Sequence, residues 1–471
     1  MGQGKRPKKA PGVPAVSVQA LNRAAAQQGN RKEARTTAKP VAEAISVSEE
    51  YLKVQALLEA GSRVVFVTGN AGTGKSTLIR YLRGSLDKSM VVLAPTGVAA
   101  LNVGGMTVHS FFHFPPTIQD PKDIKVPADC SLYEQVDLLV VDEVSMLRCD
   151  LIDAMDAFLR KARSDHSAFG GVQLLLVGDL FQLPPVVPKA EAEVLAARGY
   201  TTPYFFSALF MQDISLLPVE LTSVYRQEAP GFVALLNRVR VAERTRETVS
   251  ELNRLCESGS EAGCAVTLTA TNAAADRINE EELLRIPSKE HLMEGELEGR
   301  FNLNRDRLPS PLDLRLKVGA QVMFTKNDER KRWVNGTMGI VREIDEDSIR
   351  VEVDGTTYDV ERTSWETYEY EFDAKQDCIL SKPRGKYTQY PLMLAWAVTI
   401  HKSQGKTLDN VLIDLGHGAF APGQVYVALS RCRSIEGIKL ARPLRPSDIR
   451  CDPTIRRFYR ALAEQTGPSP R

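Results

Sequence analysis

The 471-residue sequence predicts an α/β protein with two parallel-sheet domains, the second interrupted by a small β-rich body. Three observations carry this. Short unbroken apolar runs alternate with helix-like segments and end in Gly, Asp or Pro-Thr-Gly, which suits parallel strands covered on both faces. The runs form two sets, which suggests a duplicated architecture; no short-period repeat is evident. Between them, at about 306–385, the apolar pattern switches to alternation punctuated by Asn-Gly and Asp-Gly, the signature of a small β-barrel.

The chain opens on a head, residues 1–45. Its first 40 residues hold nine Lys/Arg against one acid, Glu33, so +8 sits here and −7 in the rest of a chain of net charge +1. Rich in Pro, Ala and Gln and nearly without large apolar residues, it is predicted to be disordered. It serves as a solubilising tail or adds non-specific attraction to nucleic acid. A transit peptide fits poorly, because serine is scarce and the prolines spoil an amphipathic helix.

The first domain, 46–222, contains "RVVFVTG" (63–69), "MVVLAPTG" (90–97), "VDLLVVDEVS" (136–145) and "VQLLLVGD" (172–179). The second, 223–305 and 386–471, contains "VTLTATN" (266–272), "PLMLAWAVTIHKSQG" (391–405), "NVLIDL" (410–415) and "GQVYVALSR" (423–431). The insertion carries "LRLKVGAQVMFTKND", "VNGTMGIVREI", "SIRVEVDG" and "TTYDVE".

Composition narrows the function classes. Hydrophobic content of 43% and charged content of 25% are those of a soluble globular protein. No apolar run approaches the roughly 18 residues of a membrane span, and there is no signal-peptide pattern. The seven cysteines never form CxxC and the six histidines are dispersed, which argues against a disulfide framework or zinc site and for a reducing compartment.

"GNAGTGKST" directly follows a strand and precedes a helix, the context that G-x-x-x-x-G-K-[ST] requires. Glycines at 69, 72 and 74 let the backbone of Gly69, Asn70, Ala71, Gly72, Thr73 and Gly74 bend until its N–H groups face phosphate oxygens. Lys75 would reach the β/γ-phosphates, Ser76 would ligate Mg2+, and Thr77 closes the motif. In "LLVVDEVSM", Asp142 would hold Mg2+ and Glu143 would orient and deprotonate the attacking water. Together these predict NTP hydrolysis; many kinases and switch GTPases also have a phosphate loop, so further motifs decide which kind of NTPase this is. The strand ending at Asp179 then delivers Gln182 into a loop stiffened by Pro184 and Pro185, beside the same sheet edge. An amide there can donate to the γ-phosphate and lose that contact after hydrolysis.

The stretch 145–186, "SMLRCDLIDAMDAFLRKARSDHSAFGGVQLLLVGDLFQLPPV", resembles the signature and motif III of Pif-type (petite integration frequency) DNA helicases of superfamily 1B, related to RecD and Dda. Further family motifs follow in order: "APTGVAALNVGGMTVHSF" (94–111), "LTSVYRQ" (221–227), "LKVGAQVMFTKND" (316–328), "VNGTMGIV" (334–341), "LAWAVTIHKSQGKTL" (394–408) and "GQVYVALSRCRS" (423–434). The resemblance covers about residues 46–440.

It implies two RecA-like P-loop domains with ATP between them, a small wedge insertion at about 112–131, an SH3-like barrel insertion, and 5′-to-3′ translocation on single-stranded DNA. Arg226 and Arg431 would reach the γ-phosphate from the second domain, and Gln404 would couple ATP to DNA. Tyr225 would stack on adenine or pack in the core. Thr96 and His109 of the first domain, and Thr399, His401, Lys402 and Ser403 of the second, match positions associated with the DNA strand. Phe111, within the aromatic run Phe111, Phe112, His113 and Phe114, would stack on bases or be buried. Lys326, Asn327 and Asn335 would approach the strand from the barrel. One departure stands out: where the family commonly carries an adenine-reading glutamine the chain has Tyr51, with Gln55 one turn later as a substitute, or else a pocket open to several nucleotides.

The expectation is thus an ATP-dependent 5′-to-3′ DNA helicase acting as a monomer on single-stranded and forked DNA, with single-strand-binding or replication proteins as partners and no membrane. Alternatives are a RecD-like translocase within a nuclease complex, or a DNA-binding ATP switch that recruits partners. A chain with little beyond the motor fits the cytoplasm of a bacterial or viral host, or nucleus or mitochondrion in a eukaryote.

Overall fold

The computed structural model describes residues 47–466, apart from 213, 228, 257–265, 300, 302–307, 346–347, 374 and 377. The predicted basic tail lies outside the described residues.

Helix α1 (Glu49–Glu59) is capped by Ser48, whose hydroxyl accepts the Tyr51 N–H, with Glu49 and Glu50 in its first turn. The first sheet follows: β1 (Val64–Gly69), β2 (Met90–Ala94), β3 (Met106–Thr107), β4 (Leu138–Val141), β5 (Gln173–Val177) and β6 (Leu217–Leu221). It is wholly parallel, in the order β3-β2-β4-β5-β1-β6. The order puts β4, β5 and β1 side by side, so the loops after these three apolar runs open at one sheet edge. Open α/β sheets bind ligands at such an edge. Helix α2 (Lys75–Ser85) leaves the phosphate loop, α3 (Gly97–Asn102) follows β2, and α4 (Cys149–Ala162) packs on the sheet through Ile152, Met155 and Leu159.

Two helices, α5 (Pro230–Arg240) and α6 (Thr245–Cys256), lead into the second sheet at β7 (Val266–Thr269), followed by α7 (Asn272–Arg285). The chain then leaves for an antiparallel body: β8 (Glu290–Glu294), β9 (Glu296–Gly299), β10 (Asp313–Lys317), β11 (Gln321–Phe324), β12 (Met338–Ile344), β13 (Ile349–Val353), β14 (Thr356–Val360), β15 (Thr363–Asp373), β16 (Cys378–Gln389) and β17 (Leu392–Leu394). It returns as β18 (Ala397–Thr399) and β19 (Val411–Asp414), then α8 (Gln424–Leu429) and β20 (Ile438–Leu440). The second sheet is parallel, in the order β18-β7-β19-β20.

The antiparallel body is wider than residues 306–385. Strand β8 pairs with β10, β9 with β16, and β17 with β11, so pairing reaches from Glu290 to Leu394. Its core gathers Phe324, Val341, Val351, Val360 and Tyr390, with Trp333 stacked on Phe324. The Asp-Gly signal makes the β13–β14 turn, where Asp354 and Gly355 both have positive φ, 48° and 79°, as a two-residue hairpin requires. The long β15–β16 hairpin reaches the first sheet, where the Tyr370 hydroxyl accepts the Val92 N–H at 3.2 Å.

A second departure concerns the C-terminal helix, α9 (Pro453–Thr466). Placed by sequence in the second domain, it packs on the first core instead. Phe458 stacks on Phe206 at 4.4 Å and Tyr459 on Phe181 at 5.2 Å. The driving force is burial of aromatic area against Phe66 and Phe205. Among the described residues the cysteines are free, and no helix is long and apolar enough to cross a membrane.

Candidate nucleotide site and strand-facing surface

The phosphate loop bends where its glycines allow. Gly72 and Gly74 have φ of 82° and 83°, in the left-handed region. Both are also approached closely: an added Cβ would lie 2.6 Å from the Arg226 Cβ at Gly72 and 2.5 Å from the Tyr51 hydroxyl at Gly74. Lys75 folds back, its ammonium donating to the Gly69 and Asn70 carbonyls at 2.9 and 2.8 Å. Thr73 donates to the Asn70 carbonyl at 3.0 Å. The Asn70 amide donates to Asn237 at 2.8 Å. Ser76 is exposed at the start of α2, and Thr77 accepts from Arg80 at 3.3 Å.

Asp142 and Glu143 follow β4 side by side. Glu143 takes a left-handed φ of 50°, and its N–H donates to the Asp142 carboxylate at 2.9 Å. Burial, then the Glu143 charge, pushes the Asp142 pKa up to about 7. Glu143 is raised chiefly by burial, against the pull of Lys75, Arg431 and Arg226. One Glu143 oxygen, Oε2, is buried without a partner. Two crowded carboxylates and an orphaned oxygen fit a cation. No group of three or more His, Cys, Asp or Glu among the described residues could hold one alone, so Asp142 and Ser76 would share it with phosphate oxygens.

The second lobe closes over this edge. Tyr225 donates its N–H to the Gly72 carbonyl at 2.9 Å, and an added Cβ at Gly423 would lie 2.4 Å from the Phe181 and Gln182 carbonyls. Arg431 is 1% exposed, yet its guanidinium meets only the Val427 carbonyl, the Ser403 carbonyl and the Ser430 hydroxyl. Arg226 donates to the Ser430 carbonyl at 3.3 Å. Among the described residues, neither has a carboxylate partner in an ion pair. Burial and then Arg226 lower the Arg431 pKa to about 9, which leaves it cationic at neutral pH. Burial lowers Lys75 too, offset by Asp179, Glu143 and Asp142. Buried cations without a paired carboxylate are costly, and Glu143 offsets Arg226 and Arg431 only in part, so this arrangement favours an anion between the lobes.

Gln182 is buried at that edge with its amide 3.4 Å from the Asp179 carboxylate. Tyr225 is 58% exposed beside Gly74, free to stack on a base rather than serving the core. Tyr51 instead donates to the Gly74 carbonyl at 2.7 Å, and Gln55 is spent on Glu59 and Tyr81 at 2.8 and 2.5 Å. The substitute role expected of Gln55 is therefore not seen.

The strand-facing set divides. Lys402 is exposed, His401 is half-buried with its pKa lowered by burial, and the buried Gln404 Nε2 has no partner. Thr96 caps α3 and His109 is half-buried against the Phe114 carbonyl. Of the two readings given for Phe111 the structure has burial: it is 2% exposed and packs edge-on against Phe112, Tyr133 and Tyr370, with Phe112 and Phe114 buried beside it, so these rings build the core. Two expectations need correction. Thr399 and Ser403 are 3% and 0% exposed. Their hydroxyls serve the turn itself: Thr399 accepts the Lys402 N–H and Ser403 donates to the Ile400 carbonyl. They shape the loop that displays His401 and Lys402. Only His113 of the aromatic run is exposed, and no helix or strand is formed from 113 to 130. In the antiparallel body, Lys326 is tied to Thr363 and Ser364, while Asn335 donates its N–H to the exposed Asn327.

Asp179, Arg240 and Tyr426 also meet at the lobe interface and were assigned no role from sequence. Tyr426 stands inside "GQVYVALSR", five residues before Arg431, which is the one signal that could have found it.

A family profile described as PIF1-like helicase matches residues 48–248. The chain is 35% identical over 439 residues to the ATP-dependent DNA helicase PIF1 of Homo sapiens, spanning 88% of the chain but 64% of that relative's length. It is 34% identical to the ATP-dependent DNA helicase Pif1 of Bdellovibrio bacteriovorus, covering 88% of the chain and 92% of the relative. Among solved structures, Pif1 from Bacteroides sp in complex with ADP-AlF4 superposes with a TM-score of 0.82 at 36% identity, over 90% of this chain and 98% of that one. The Bacteroides Pif1 complex with ADP-AlF3 and ssDNA gives 0.65 at 36% identity, over the same shares of the two chains. Sequence, fold and cleft agree: the chain belongs to the PIF1-like helicase family.

Proposed function

We propose that this protein is an ATP-dependent DNA helicase that tracks single-stranded DNA 5′ to 3′ and unwinds duplex ahead of it. The observation that carries the reading is the pair of guanidinium groups, Arg226 and Arg431, held without carboxylate partners over the loop that bears Lys75. A triphosphate supplies the missing anion. Lys75 exchanges the Gly69 and Asn70 carbonyls for phosphate oxygens, the glycine-bent loop turns its N–H groups to them, and Glu143 uses its free oxygen to orient and deprotonate water. Arg226 and Arg431 stabilise the charge that develops on the transferred phosphoryl group. Asp142 and Ser76 would hold Mg2+, which when bound would supply neutralisation of phosphate charge. Gln182 reports the γ-phosphate, and Gln404 links the cleft to the strand.

On the DNA side, Lys402, His401, Thr96 and His109 contact backbone phosphates, which position a strand without reading its bases. Relatives named as DNA helicases, and a 36% identical structure that concerns DNA unwinding at forked dsDNA by two coordinating Pif1 helicases, support forks as substrate. The protein works as a monomer beside single-strand-binding or replication proteins.

The test is unwinding of duplexes bearing either a 5′ or a 3′ single-stranded tail. The 5′-tailed duplex is expected to open with ATP and Mg2+, the 3′-tailed one to stay closed, and Lys75→Ala to bind DNA without opening either. DNA-stimulated hydrolysis with no strand separation would favour a recruiting switch instead.

A further inference from the structure

Asp179 is completely buried, yet groups from both lobes converge on its carboxylate. From its own lobe, the Phe181 N–H donates to Oδ1 at 3.2 Å and the Gln182 amide lies 3.4 Å from Oδ2. From the second lobe, Arg240 on α5 brings Nε and Nη2 to Oδ1 at 3.1 and 3.0 Å, and Tyr426 on α8 brings its hydroxyl to Oδ2 at 3.2 Å. The same hydroxyl takes the Ala71 N–H of the phosphate loop at 2.9 Å. One phenol from the second lobe is thus seated between two segments of the first.

The direction of this chain is fixed by chemistry. The Ala71 N–H can only donate and an ionised carboxylate only accepts, so the phenol accepts from the loop and donates to Asp179. Burial, then Asp179, drives the Tyr426 pKa far above its ordinary value, so the proton stays on the phenol. Burial is the largest influence and works against the Arg240 cation, but the charge and hydrogen bond of Asp179, together with Tyr426 and Tyr459, outweigh it. Arg240 also lies over the Phe181 ring at 4.3 Å, which restrains its guanidinium beside the carboxylate.

We propose that Tyr426, oriented by Asp179 and Arg240, is a positioning residue that couples the shape of the phosphate loop to closure of the two lobes. Closing seats the phenol on the Ala71 N–H and holds the following loop amides in register for phosphate. Opening withdraws phenol and guanidinium together, loosening the loop and leaving Asp179 with the Phe181 N–H and the Gln182 amide. The inference rests on the ATP-driven reading above and adds to it a path from the second lobe to the loop that does not pass through Arg226 or Arg431.

Tyr426→Phe keeps the ring and its packing and deletes only the bridging hydroxyl. Steady-state ATP hydrolysis is measured for wild type, Tyr426→Phe, Asp179→Asn and the double variant, with and without saturating oligothymidine. The expected result is a loss of about tenfold in DNA-stimulated kcat for Tyr426→Phe, the size of one buried hydrogen bond, with the KM for ATP changed less than about twofold. Asp179→Asn is expected to lose at least as much, and the double variant no more than Asp179→Asn alone, because both act through one chain. Wild-type kcat in Tyr426→Phe, a loss confined to KM, or losses that multiply in the double variant would each overturn the proposal. Should Asp179→Asn fail to fold, Tyr426→Phe decides alone. A wild-type chain with no ATP hydrolysis would refute the helicase reading itself, a distinct outcome.

Discussion

At the scale of single residues, the cleft is a set of charges held away from their ordinary state by burial. Asp142 is protonated more readily than a free carboxylate, with a pKa of about 7 set by burial and by Glu143. Its folded pKa lies above the unfolded one, so the native state holds the extra proton, and stability without cation falls as pH rises toward 7. Mg2+ competes with that proton. The thermal midpoint is therefore expected to drop across this range in chelator, to recover with Mg2+ mainly at the upper end, and to drop less steeply in Asp142→Asn, where Glu143 still carries its own raised pKa. Calorimetric scans over a pH series check it. A second residue-level prediction concerns Gly72, where left-handed backbone and the 2.6 Å approach of Arg226 leave no room for a methyl group. Gly72→Ala should keep its fold by circular dichroism and lose at least about tenfold in ATP turnover. The residues of this cleft that were legible in sequence lie in contiguous spacings with one geometric meaning, as in "GNAGTGKST". Thr399 and Ser403 were misread because their hydroxyls suit DNA phosphates but are spent on the turn they sit in, while the choice between stacking and burial for Phe111 is decided by distant partners such as Tyr370. Tyr51 was noticed as a departure, but its bond to the Gly74 carbonyl could only be seen in three dimensions.

At the scale of elements, β1, β4 and β5 were readable because parallel strands buried on both faces leave unbroken apolar runs. The Asp-Gly turn was readable because few residue pairs accept positive φ twice. Helix α9 was not: its aromatic face looks alike whichever lobe it covers, and pairing with Phe206 and Phe181 is a contact across more than half the chain. Its Tyr459 hydroxyl lies 2.7 Å from the Thr68 hydroxyl, one residue before the phosphate loop, so α9 ties the end of the second lobe to β1. Phe458→Ala is expected to cost about 2 kcal/mol through lost aromatic burial, read as a lower urea midpoint. An unchanged midpoint would mean that α9 adds nothing to the first core.

At the scale of the whole molecule, two parallel sheets meet along one edge and an antiparallel body reaches from the second to the first. The two sets of apolar runs announced the sheets. The reach of the β15–β16 hairpin to Val92 was not announced, because alternation says which face of a strand is buried and not what buries it. On this geometry, ATP is expected to be hydrolysed only when cations from both lobes surround it. Single-turnover hydrolysis by Arg226→Ala, with ATP binding measured separately, tests it most directly. Binding is expected to stay within about threefold of wild type while hydrolysis falls by about 10³-fold. Hydrolysis at the wild-type rate, or a loss explained wholly by weaker binding, would contradict it.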